Sequence, residues 1–400
     1  MTLYGKMRTN DEYVPGIAWA AHRGASPDTA ARAEGLMNRI LSPGAFRMTD
    51  RQPDIILFMS GGSERRALEL ADPSRPVLLL SIRGNNAYAA ATEVMAWMVN
   101  NGRIALLSDA EDAVESGLFD RWRRVAGSWT GLRDSRAGLI GTVSEWLVAS
   151  DVPAFILKHK FGMELVEIPW NSLPDYAGQI PDKPLTERFA GHNASGLREA
   201  AKVLTLLRRV IQENDLDAIA VECFRLVQQR KVTACLALAQ LNSECTPAAC
   251  EGDLASMAGM MMIRAVTGSV PWMANTTRVT SSTVILSHCT AAFDFVSSVK
   301  LPTHYETGYS LAVAGRVDAT CVTLFRLNDR LDKAFVVEGK VVSHPQIPDA
   351  CRTQVEIELP EDQINIFREK PLGNHLLAVP CKCEEILSLL CRYKNIEVVS

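Results

Sequence analysis

Near-continuous apolar runs that stop abruptly on a turn constrain this chain more than any other feature. Asp54 to Met59, Pro76 to Ile82 and Arg103 to Asp109 are such runs, and helical stretches lie between and after them, notably Ala89 to Asn100 and Asp112 to Val125. A strand that is apolar on both faces must be covered on both faces, and alternation with helices provides the cover. The pattern predicts a parallel sheet between two helical layers. An alanine-rich helix expected from Pro27 to Leu41, with proline in its first turn, belongs to the same layers. Ser60, Gly61, Gly62 and Ser63 follow the first of the runs. They lack the full dinucleotide fingerprint and the lysine of a phosphate loop, so they read as a plain strand-to-helix turn in preference to a phosphate cradle.

A second unit of this kind begins near Asp134. Strands are expected at Ala137 to Gly141 and Met163 to Ile168, with a helix from Thr142 to Ala149 between them. A proline-rich connection from Pro169 to Pro184 leads to a helix from Ser195 to Gln212, whose Ala200, Val203, Leu204, Leu207, Val210 and Ile211 share one stripe. Short strands then end at Glu222 and near Glu251, and an amphipathic helix from Leu254 stops at Gly268.

Beyond about Arg278 consecutive short strands replace the alternation. They are expected at Thr283 to Leu286, Leu311 to Ala314, Ala319 to Arg326, Gln354 to Leu359 and His375 to Val379, with a hairpin turning at Gly339. Such a change marks a new, β-rich domain, a small barrel or curled sheet. The expected division is residues 1–133, 134–278 and 279–400, an α/β protein with a β-rich C-terminal domain.

Composition narrows the function. A formal net charge of -4 over 400 residues gives no electrostatic reason to expect nucleic acid or an anionic membrane. No apolar run reaches the roughly 18 to 20 residues of a membrane span, and the N-terminal stretch has no apolar core like that of a secretory signal. The chain is expected to be cytoplasmic. All ten cysteines lie from Cys223 onward, and without an export signal they read as reduced, mostly buried thiols.

The chemistry gathers at strand ends. Glu222 and Glu251 each end an apolar run in consecutive β-α units, and His288 ends a third run. In open parallel sheets, ligand-binding groups collect at the carboxyl edge. Two carboxylates with one or two imidazoles offer mixed oxygen and nitrogen donors, which suit Mn2+, Mg2+, Co2+ or Fe2+ better than a thiolate zinc site. The plainer reading of a strand-end glutamate is a helix-dipole or salt-bridge partner. Asp253 reads equally as the N-cap of the following helix or as an acid near the site. His304 and Glu306, two apart, face the same way if extended and could line a pocket.

Val221 to Phe224, Thr233 to Asn242, Pro247 to Asp253, Trp272 to Asn275, Ser287 to Thr290 and Gly373 to His375 together resemble motifs of the L-fucose isomerase and L-arabinose isomerase superfamily. The shorter, fucose-isomerase-like members are the most similar, over roughly residues 215 to 380. The resemblance implies two Rossmann-like α/β domains followed by the β-rich domain. It implies metal-dependent aldose–ketose interconversion through an ene-diol, typically with Mn2+, and with Mg2+ or Co2+ as alternatives. Glu222 and Glu251 would be metal ligands and the acid/base pair, His375 the ligand from the C-terminal domain, and His288 an additional ligand as in the arabinose branch. Asn374 would contact substrate or a metal ligand from behind; by their positions and not by the resemblance, His304, Glu306 and Asp253 are further candidates for the substrate side, with a solvated pair as the plainer reading of His304 and Glu306. Relatives are symmetric oligomers with pockets near subunit contacts, so a homo-oligomer is implied. Ketose epimerisation on the same metal platform and a non-catalytic sugar-binding protein of the same fold are the competing expectations.

Overall fold

A computed structural model describes residues 13–192 and 194–399. It has the expected α/β class: two parallel sheets and one larger, strand-rich mixed sheet. The described chain divides into two compact units, one of residues 13–130 with Arg392–Asn395, the other of the described residues within 131–391 and 396–399.

The first unit is built on β1 (Gly16–Ala20), β2 (Arg47–Met48), β3 (Ile55–Phe58), β4 (Val77–Ser81) and β5 (Ala105–Asp109), in the order β2-β1-β3-β4-β5 and all parallel. Every residue of β3 is fully buried, as its unbroken apolar run requires of a central strand. Helices Thr29–Ile40, Glu64–Leu70 and Ala87–Asn100 occupy the connections. The single helix expected over 112–125 is instead two, Ala110–Glu115 and Leu118–Arg133. Gly117, at φ +73, breaks it, and the Asp109 carboxylate caps the first piece by accepting from the Glu111 and Asp112 N–H groups.

In the other unit a four-stranded parallel sheet combines β6 (Arg136–Ile140), β7 (Glu164–Ile168), β8 (Ala218–Val221) and β9 (Ala248–Cys250), in the order β7-β6-β8-β9. Helix Ala194–Glu213 packs its apolar stripe inward, with Ala200, Val203, Leu204, Leu207, Val210 and Ile211 all buried. The helix expected over 142–149 does not form. Gly141 turns at φ +84, and the N–H groups of Thr142 and Ser144 are drawn to the Glu222 carboxylate and the Glu251 carbonyl. Side-chain and loop acceptors thus take donors that a helix would have used.

The mixed sheet contains β10 (Trp272–Val279), β11 (Thr283–His288), β14 (Cys321–Leu327), β15 (Lys333–Ser343), β16 (Thr353–Glu358), β17 (His375–Val379) and β18 (Glu397–Val398), while β12 (Val296–Lys300) and β13 (Ala314–Val317) form a separate ribbon. Pairing of β14 with β15 closes the ring β14-β17-β10-β11-β16-β15 into an antiparallel barrel, and β18 adds parallel to β15. The strand β10 comes from the stretch read as the second α/β domain. Its hydrogen-bonding partners are antiparallel, β11 and β17, so it belongs to the barrel.

Two further expectations change. The segment around Gly339 is no hairpin but the middle of β15, continuous from Lys333 to Ser343. A Cβ at Gly339 would lie 2.4 Å from Ile357 Cγ2 and 2.9 Å from the Glu358 carbonyl oxygen. Glycine is needed there for close strand approach, not for a turn. The strand expected over 311–314 starts at Ala314, where its partner is β12, a strand not anticipated.

Candidate metal centre

Glu251 stands one residue past β9 in an uncommon backbone state. Its φ is +60, Gly252 follows at +69, and a Cβ on Gly252 would meet the Thr142 carbonyl oxygen at 2.5 Å. A left-handed non-glycine residue costs on the order of 1 to 3 kcal/mol and persists where its surroundings hold it. Here the Glu251 carbonyl accepts the Ser144 N–H at 3.0 Å and the Gly252 N–H donates to Val221 at 2.9 Å. The two left-handed residues turn the chain from β9 into helix Leu254–Thr267 and leave Glu251 at the sheet edge, 9% exposed.

Two barrel histidines meet it. His375 opens β17 opposite Asn275 of β10, and Asn275 also faces Ser287, the residue before His288 at the end of β11. Glu251 Oε1 lies 3.6 Å from His375 Nε2 and 3.7 Å from His288 Nε2. These gaps are too wide for hydrogen bonds. All three donor atoms fall within 4.8 Å of one another, and all three residues are buried. Ligands about 2.1 Å from one ion are separated by roughly 3 to 3.5 Å, so a small contraction closes the set.

Each ligand is oriented from behind. His375 Nδ1 is 2.8 Å from Asp253 Oδ2, and His288 Nδ1 is 2.9 Å from Thr290 Oγ1. That leaves His375 Nε2 a buried atom without a hydrogen-bond partner, a lone pair or proton with nothing but the triad to serve. Asp253 is fully buried and does two jobs. It caps helix Leu254–Thr267, accepting from Ser256 N–H at 2.7 Å, and it holds His375. Arg326 Nη1 approaches it at 3.1 Å, while Nη2 donates to Ser150 Oγ and the Ala149 carbonyl. Asp253 is therefore an orienting group and not the substrate contact expected of it. A Cβ on Gly373 would come within 2.5 Å of Arg326 Nη2, so the glycine before Asn374 and His375 makes room for this guanidinium.

The charges support one another. Burial pushes the Glu251 carboxyl up, but the two imidazoles outweigh it and hold it well below the usual carboxylate range. Burial alone would lower His375, yet Asp253 and Glu251 raise it to about 9.

Glu222 is not one of the three. It is the N-cap residue of helix Cys223–Arg230 and its Oε2 accepts the Thr142 N–H at 3.1 Å, with Arg225 at 3.9 Å. A Cβ on Gly141 would sit 2.1 Å from that oxygen, so glycine permits the close approach. Asn374 is exposed and bonded to Thr276 and Asn275. His304 and Glu306 line the same small cavity as Glu251 and His288. Burial raises the Glu306 carboxyl, the His304 charge opposes, and Glu251 adds to the rise.

Two features escape a reading of the sequence. Trp146 Nε1 donates to Glu251 Oε2 at 2.6 Å, and its ring meets Phe224 edge-on at 5.0 Å, which in turn meets His304 at 5.9 Å. Trp146 sits where a helix was expected, and nothing in its neighbours marks it. The cavity is also lined by Cys223, Cys235, Cys250, Cys289 and Cys351, with the Cys223 and Cys250 sulfurs 3.1 Å apart. Crowding of the cysteines after residue 222 was the available signal. The cavity volume is about 20 Å³, room for about one water-sized particle.

Comparison with protein-family models finds none that matches the chain, and comparison with curated proteins finds no match. Among the described residues, no helix is long and apolar enough to cross a membrane.

Proposed function

We propose that the chain is a metal-dependent aldose–ketose isomerase, related in chemistry to the L-fucose and L-arabinose isomerases that its motifs resemble. The observation that carries this reading is the buried convergence of Glu251, His288 and His375, with one imidazole nitrogen lacking any other partner. The donor set of one carboxylate and two imidazoles fits a divalent ion such as Mn2+, with Mg2+ and Co2+ as alternatives. When bound, such an ion supplies Lewis acidity toward a carbonyl and its neighbouring hydroxyl.

The chain's own groups supply the remainder. Asp253 and Thr290 hold the imidazoles in register. The indole N–H of Trp146 fixes one Glu251 oxygen and leaves the other facing the histidines. Glu222, one-fifth exposed at the neighbouring strand end, is the second carboxylate available to move a proton between adjacent sugar carbons. A cavity of about 20 Å³ does not hold a sugar. Substrate entry therefore requires this cavity, whose lining includes the Phe224 and His304 rings, to open.

Glu222, held by the Thr142 N–H outside the triad, favours a second reading, a non-catalytic sugar-binding protein of the same fold. Incubating free aldoses and, separately, ketoses with the protein and Mn2+ in D2O separates the two. Deuterium at C1 or C2 with aldehyde-to-ketone conversion, lost on adding a chelator, is expected. Label confined to C3 replaces isomerisation with epimerisation, and metal binding without any label entry leaves the binding protein.

A further inference from the structure

A crevice lies wholly inside the first unit, at the carboxyl edge of its sheet. The strand order β2-β1-β3-β4-β5 reverses direction at β1 and β3, and in open α/β sheets ligands bind at that reversal. A cavity of about 410 Å³ opens there, lined by His22 after β1, Arg32 on helix Thr29–Ile40, Ser60 and Gly61 after β3, and Asn85 and Asn86 after β4. A second cavity of about 380 Å³ adjoins it and shares Arg32 and Met59. Volumes of this size suit a small metabolite.

The lining has a definite electrostatic character. Among the described residues, no acidic residue lines the first cavity, and Arg32 is its one permanent cation. The other two arginines that line the adjoining cavity are neutralised: Arg39 pairs with Glu111, and Arg83 with Asp109, Glu111 and Asp112. The Arg32 guanidinium, among the described residues, has no hydrogen-bond or ion-pair partner. His22 Nδ1 accepts the Gly24 N–H at 3.0 Å, so the ring carries its proton on Nε2 and is a donor there. The two asparagine amides add neutral donors. The loops are tied together: Gly61 N–H donates to the Asn85 carbonyl at 2.7 Å, and His22 N–H to Ser60 Oγ at 3.0 Å. A Cβ on Gly61 would lie 2.9 Å from Asn86 Cβ, which accounts for the glycine without reference to a nucleotide fingerprint.

We propose that this crevice binds a small phosphate monoester, the phosphate taken by Arg32 with His22 and the asparagines donating, and the ester group filling the cavity. A planar guanidinium matches phosphate geometry with paired hydrogen bonds, and several neutral donors around one free cation suit a many-oxygened anion better than a carboxylate. The site is separate from the metal centre, whose residues belong to the other unit.

The test uses the full-length protein, ribose 5-phosphate as probe and ribose as its uncharged control, read by calorimetric titration. Binding of the phosphate ester at micromolar to millimolar concentration is expected, at least about ten-fold tighter than ribose. Arg32→Gln should weaken it at least about ten-fold, and the exposed position leaves the circular dichroism and unliganded melting temperature unchanged. Glu251→Gln should leave it intact, which separates this site from sugar binding at the metal centre. No binding at millimolar probe, equal binding of ribose, unchanged binding to the Arg32 variant, or loss in the Glu251 variant would each overturn the proposal.

Discussion

Asp253 Oδ2 and His375 Nδ1 are 2.8 Å apart with both residues fully buried, and the same carboxylate faces Arg326 at 3.1 Å. One acid thus joins a helix cap, a histidine and a buried guanidinium. Removing such an outer partner of a metal-ligating histidine costs about 10- to 100-fold in metal affinity. Asp253→Asn should lower Mn2+ affinity by that order, measured by chelator competition. Asp253→Ala should also destabilise the fold by about 3 to 5 kcal/mol, because Arg326 is left buried without its counter-charge. Equal Mn2+ affinity in wild type and the Asn variant would remove Asp253 from the site.

Metal addition should raise the melting temperature of the wild-type protein and a chelator should reverse it, since an ion that binds only the folded state stabilises by mass action. Glu251→Gln, with the carboxylate between the two imidazoles gone, should abolish the metal-dependent shift. A shift of undiminished size in that variant would place the ion elsewhere.

Gly373→Ala puts a methyl within 2.5 Å of Arg326 Nη2 and 2.7 Å of its Nε. Overpacking of this kind costs about 1 to 3 kcal/mol. Because Arg326 braces Asp253, the variant should lose Mn2+ affinity along with its lowered urea midpoint. Loss of stability with native metal affinity would show that the glycine serves packing alone.

A turn glycine accepts asparagine, whereas a glycine pressed between strands does not. Gly339→Asn should therefore lower the urea midpoint by about 1 to 3 kcal/mol equivalent, because its Cβ would fall 2.4 Å from Ile357 Cγ2. Retained stability would reinstate the hairpin.

Tyr13 donates to Asp54 Oδ1 at 2.9 Å beside Arg75, and burial, then the Asp54 charge, raises its phenol from 10.0 to about 12. A raised folded value favours the protonated form. The associated stability is fully present below pH 10.0 and drains away as pH climbs toward about 12. Tyr13→Phe should flatten this alkaline loss in urea melts at successive pH values.

The parts of the chain legible beforehand share one property: their patterns are local. Asp54 to Met59 reads as a buried strand because every residue after Asp54 is apolar, and His375 to Val379 has the bounds of β17. Glu251, His288 and Asp253 stood at element ends, where side chains must answer to something. What stayed hidden depends on contacts distant in sequence. Trp146 reaches Glu251 across 105 positions, and Gly339 acquires its meaning only when β16 lies against it. Glu222 was placed at the right strand end, but an amide from Thr142, 80 positions away, takes its carboxylate.

The closed barrel bears on how an ion would be received. His288 and His375 stand on strands that flank β10, within a ring that has no free edge to yield. Spreading them apart means breaking backbone hydrogen bonds in several places at once. Glu251 comes from another sheet, through two left-handed residues. If the triad takes up an ion, the histidines would act as two rigid jaws, and Glu251, tethered at one oxygen by Trp146, would be the group that adjusts to the radius of the ion.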